Sequence, residues 1–115
     1  MEARRYERAG DLARGARGFE EIARDLGEGR AASEAWYRAG RLWLDPANER
    51  RSYARAMVCF KKVDQEAVSE ETARDVRLWI SALSRLVSAQ EALAATRQAM
   101  GDVAEGAEAL RGRGP

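Results

Sequence analysis

Apolar side chains spaced three and four residues apart run through most of this chain. The clearest run is Trp36, Ala39, Gly40, Trp43 and Leu44. That spacing places every member on one side of an α-helix and none on one face of a strand. Leu12, Gly15, Ala16, Phe19, Ile22, Ala23 and Leu26 form a similar stripe, and Tyr53, Ala56, Met57, Phe60 and Val63 a third. Stop signals fall between the stripes. Asp11 is placed to cap the first of these helices, and Gly27 and Gly29 end it. Ser33 is the expected cap of the second helix, which closes at Asp45-Pro46 because the residue before proline avoids the α region. Ser52 caps the third helix and Ser69 the last, where Glu70 and Glu71 sit beside the positive end of the helix dipole. An additional short helix is expected over Arg4 to Ala9.

The last helix changes period. Trp79, Leu86, Leu93, Met100 and Ala107 recur every seven residues. Ala82, Ala89, Thr96, Val103 and Leu110 each follow by three. This is a heptad seam, weakened toward its end by Gly101 and Gly106. Ile80, Leu83 and Val87 widen the apolar face at its start, so the helix is expected to pack on its neighbours up to about Val87. Beyond that point it is expected to project or to pair. The expected organisation is a helical domain over 1–87, a heptad extension over 88–111 and a disordered tail over 112–115. The fold class is all-α, with about four or five antiparallel helices and a long C-terminal one.

Composition removes several kinds of chemistry. The 115 residues contain no histidine and one cysteine, Cys59. Histidine-based triads and zinc-histidine sites are therefore excluded, as is an intrachain disulfide. Cys59, inside Met57-Val58-Cys59-Phe60, reads as a buried small hydrophobe. No glycine-rich phosphate loop is present. The adjacent carboxylates Glu20-Glu21 and Glu70-Glu71 do not face each other on a helix and read as solvated surface. With 20 basic and 19 acidic residues, no net field favours nucleic acid or an acidic membrane. The basic group Arg50, Arg51, Arg55, Lys61 and Lys62 is diluted by Glu49, Asp64 and Glu66. No apolar run reaches the roughly 20 residues of a membrane span, and Met1-Glu2-Ala3-Arg4-Arg5 has no secretory pattern. A cytoplasmic chain is expected as given, or a periplasmic or envelope one if a leader was removed. No enzyme activity, cofactor or metal is expected.

The segment Trp36 to Val63 resembles a tetratricopeptide helix pair. It has a large aromatic at Trp36, the small pair Ala39-Gly40, an aromatic at Trp43, and Ala56 and Phe60 on the returning helix. Leu12 through Ile22 resembles the second helix of an earlier, shortened repeat. The connector Asp45 to Arg51 is longer than a standard turn of that family, as in Sel1-like relatives, and the proline that closes each repeat is absent. Trp43-Leu44-Asp45-Pro46-Ala47-Asn48 together with Phe60-Lys61-Lys62-Val63 is similar to tetratricopeptide-like lipoproteins of bacterial envelopes.

This resemblance implies a scaffold that holds another protein on the first helix of each pair. On that helix Glu34, Tyr37, Arg38 and Arg41 form the expected exposed stripe, suited to a peptide or helix with acidic character. The heptads imply an alternative, a self-assembling module that dimerises through Leu86, Leu93 and Met100. A small helical enzyme or ligand-binding bundle is a third reading, with no motif behind it. Trp36, Trp43, Tyr53, Phe60 and Trp79 are expected in the core rather than in a cofactor site.

Overall fold

The computed structural model describes residues 11–112, and the expected helix over Arg4 to Ala9 and the tail residues 113–115 lie outside them. Helix is the only regular structure among the described residues. It forms α1 (Leu12–Leu26), α2 (Arg30–Leu44), α3 (Tyr53–Lys61) and α4 (Glu70–Gly112). By compactness the chain divides into two units after Ser84.

In the first unit the helix ends follow local chemistry. The Asp11 carboxylate accepts the backbone N–H of Arg14 at 3.2 Å. Gly27, at φ 77°, donates its N–H to the Ala23 carbonyl and turns the chain. Gly29 follows at φ 97°, a region that side chains with a Cβ rarely adopt. These two glycines let α2 start at Arg30, earlier than the Ser33 cap expected from sequence. Ser33 therefore lies one turn inside α2, buried, and its hydroxyl accepts the Asp64 backbone N–H at 3.0 Å. It ties the segment after α3 to α2 instead of capping a helix. Ser52 accepts from the Arg55 N–H, and Ser69 from the Thr72 N–H, as their cap positions require.

Packing partners show the helix directions. Between α1 and α2, Trp43 reaches Glu20 while Arg24 lies over Trp36, so the two helices run antiparallel. Between α2 and α3, Arg55 lies over Trp43 and Lys62 over Trp36, again antiparallel. The first part of α4 runs alongside α2, because Tyr37 meets Asp75 and Arg41 lies over Trp79. Phe60 on α3 stacks on Trp79 with ring centroids 6.3 Å apart, and Ser84 reaches Met57, so α3 and α4 oppose each other.

Trp43, Phe60, Leu83, Val76 and Cys59 are fully buried at the centre of this unit. Burying each of the large side chains contributes on the order of 2–3 kcal/mol. Gly40 is what allows α2 and α3 to meet. A Cβ there would stand 2.8 Å from Phe60 Cε1, so the small residue sets the spacing of the pair. The connector after α2 is not a loose polar loop. Asn48 is buried, its side-chain amide donates to the Leu42 carbonyl at 2.9 Å, and its side-chain oxygen accepts the Arg50 N–H. Ser52 then donates its backbone N–H to the Trp43 carbonyl, which starts α3 at a fixed place.

The second unit consists of residues 85–112 of α4. Its large apolar side chains stay in solvent: Leu86 is 42% exposed, Leu93 50%, Met100 66% and Val103 71%. No helix among the described residues is long and apolar enough to cross a membrane.

Candidate functional site

Two neighbouring hollows lie in the first unit along α1 and α2, and both include Phe19 and Arg38. One, of about 380 Å³, is bounded by Leu42, Leu44, Pro46 and Trp79 together with the charged Arg41 and Asp45. The other, of about 420 Å³, is bounded by Ile22, Leu26, Ala31 and Ala35 with Glu34 at its edge. Apolar side chains predominate in the second, while Arg38, Arg41 and Asp45 set three charged groups around the first. That is the usual constitution of a recognition groove.

Sequence spacing assigns Ile22 and Leu26 to the packed stripe of α1. They belong to that stripe by position, but α2 covers only part of it. Ile22 is 36% exposed and Leu26 50%. These side chains are the uncovered apolar wall of the second hollow.

The four residues expected to hold a partner separate into different roles. Tyr37 is half-buried. Its ring meets Phe60 with centroids 6.0 Å apart, and its hydroxyl donates to Asp75. Burial and the Asp75 carboxylate push the Tyr37 phenol above its ordinary value. Tyr37 therefore joins α2 to α4 rather than offering a face to solvent. Arg41 donates to the same Asp75 oxygen at 3.2 Å and lies over the Trp79 ring at 6.0 Å. Its charge is shared with Asp75. Glu34 pairs with Arg30 at 3.0 Å, an exposed i,i+4 contact worth a few tenths of a kcal/mol at most.

Arg38 differs from all of these. It is exposed, its guanidinium lies 5.8 Å from the centre of the Phe19 ring, and among the described residues no carboxylate pairs with it. It stands where the two hollows meet. A guanidinium supported on an aromatic face is positioned to take a carboxylate with two parallel hydrogen bonds.

Several contributors to this region have no signature in the sequence. Glu20, read as solvated surface, is only 12% exposed at its side chain. It accepts the Trp43 indole N–H at 3.1 Å and sits 3.6 Å from Arg24. The correction has a simple cause: a buried indole N–H needs an acceptor, and the antiparallel α1 supplies this one. Asp75 is likewise invisible until α4 lies beside α2. Arginines cover the core aromatics from outside. Arg17 and Arg55 flank Trp43, while Arg24 and Lys62 flank Trp36. Much of the basic surface is thus engaged with rings.

Cys59 is buried, and burial pushes its thiol up to about 12. It has no thiolate to offer at neutral pH. Among the described residues no cluster of His, Cys, Asp and Glu is placed to hold a metal ion. The residues expected to self-associate, Leu86, Leu93 and Met100, lie in the second unit and are exposed. Comparison with protein-family models, curated proteins and solved structures finds nothing that matches this chain.

Proposed function

We propose that the chain is a non-catalytic, tetratricopeptide-like module that holds an acidic, partly apolar segment of another protein in the groove between α1 and α2. The observation that carries this reading is Arg38, which no carboxylate among the described residues pairs with, seated on Phe19 between two hollows. A fitting segment presents a carboxylate to Arg38 and an apolar side chain to each hollow. The alternation of α2, α3 and α4 around Gly40 and Phe60 supports the repeat-like reading, since close axes and interleaved aromatics are what such helix pairs require.

Selection of binders from a displayed random-peptide library tests the proposal. The expected winners carry Asp or Glu flanked by large apolar residues. Arg38→Glu should weaken them by about 1 kcal/mol or more, since it removes an exposed charge pair worth up to about 1 kcal/mol and sets a like charge in its place, while leaving the helical circular dichroism unchanged. Winners without an acidic residue, or binding that survives Arg38→Glu, would remove this groove from consideration.

A further inference from the structure

The seam on the second unit is built to meet another helix. Leu86, Leu93 and Met100 recur every seven residues, with Ala89, Thr96 and Val103 three after each. All are exposed. A seam of period 3.5 slides around a straight helix of 3.6 residues per turn, and stays in register only along a supercoiling partner of the same period.

The surface also has the holes that such a partner fills. Thr96, Ala99, Met100, Val103, Ala104 and Ala107 bound an apolar hollow of about 430 Å³. These residues are two consecutive diamonds. Thr96, Ala99, Met100 and Val103 make one, and Met100, Val103, Ala104 and Ala107 the next. Each diamond has the i, i+3, i+4, i+7 outline that receives one side chain in knobs-into-holes packing.

The uneven spread of charge along the segment favours one direction of pairing. The N-terminal half of the segment carries Arg85, Glu91 and Arg97 and is net positive. The C-terminal half carries Asp102, Glu105, Glu108 and Arg111 and is net negative. A parallel pair of identical segments sets like halves together, whereas an antiparallel pair sets opposite halves together.

We propose that this seam pairs with the same seam of a second copy of the chain as an antiparallel two-stranded coil, with Leu86 of one copy beside Val103 of the other. In that register Leu93 meets Thr96 and Met100 meets Ala89, so each large side chain faces a smaller one. The groove at Arg38 plays no part, so this inference stands or falls separately from the function proposed above.

Sedimentation equilibrium of the full chain from micromolar to millimolar concentration should show a monomer–dimer equilibrium. Leu93→Glu, at an exposed site, should leave a monomer with unchanged near-ultraviolet circular dichroism. Direction is read by oxidation in a Cys59→Ala background. Mixed Leu86→Cys and Val103→Cys chains should form a disulfide-linked heterodimer, and Leu86→Cys alone should not link, because its two copies would stand about 25 Å apart along the coil. A chain that remains monomeric at every concentration overturns the proposal. So does a dimer in which Leu86→Cys links to itself, or in which the mixed chains fail to link.

Discussion

Gly40 shows how one missing Cβ sets the geometry of a helix pair. Alanine in its place is the better helix former by about 1 kcal/mol, so propensity alone favours the substitution. Packing opposes it. The new Cβ would sit 2.8 Å from Cε1 and 2.9 Å from Cζ of Phe60, and Phe60 is fully buried. Overpacking of this kind typically costs about 1–3 kcal/mol, which exceeds the propensity gain. Gly40→Ala is therefore expected to lower stability, by up to about 2 kcal/mol in urea denaturation. Phe60→Leu should shrink the penalty, so that the double variant is more stable than the sum of the two single effects. An additive pair would show that the ring is not what Gly40 accommodates. The small type at position 40 was readable from its place in the stripe. Glu20 and Asp75 were not, because their meaning comes from a Trp43 N–H and a Tyr37 hydroxyl that lie far away in sequence.

At the scale of the elements, the helices were legible because each stripe has its own period and its own punctuation. Asp11, Ser52 and Ser69 cap as their types dictate. Ser33 does not, because two glycines at positive φ start α2 before it. Asn48 was missed for a related reason: a polar residue in a connector looks solvated until its amide is found bonded to the Leu42 carbonyl. The joints between elements also hold the groups that make stability depend on alkaline pH. Cys59 is raised by burial from 9.0 to about 12. Tyr37, at the joint of α2 and α4, is raised above 10.0 by burial and by Asp75. In both cases the folded state favours the neutral form. The stabilisation is complete below the unfolded values and is lost as pH rises through the folded ones. Unfolding free energy should therefore begin to fall near pH 9 as Cys59 of the unfolded chain ionises, by about 1.4 kcal/mol per pH unit for that group. The slope should steepen above pH 10 as Tyr37 joins. Urea midpoints measured across this range check it. Cys59→Ala should erase the first part of the slope and Tyr37→Phe the second, and an unchanged profile in either variant refutes the assignment to that residue.

For the molecule as a whole, the two units differ in what holds them. The first has a core around Trp43, Phe60, Val76 and Leu83. The second is one helix whose large apolar side chains are in water, sustained by backbone hydrogen bonds and alanine-rich composition, with Gly101 and Gly106 each lowering helix stability by about 1 kcal/mol relative to alanine. Such a helix opens locally, whereas amides in a core are released only when the unit unfolds. Hydrogen exchange followed by mass spectrometry should show this at low protein concentration. Peptides covering residues 85–112 should exchange early, and those covering α2 and the first turns of α4 late. Raising the concentration should then slow exchange between Leu86 and Ala107 alone, since pairing of the seam adds protection there and leaves the other core unchanged. Leu93→Glu should abolish that concentration dependence without altering the late-exchanging peptides. Early exchange over residues 85–112 that ignores concentration would mean the seam has no partner in its own copies. Uniformly late exchange at every concentration would mean that something other than pairing stabilises the helix. The period of the heptads, visible in the sequence, thus gives a definite expectation for the behaviour of the assembled molecule, and protection over these residues is where it is decided.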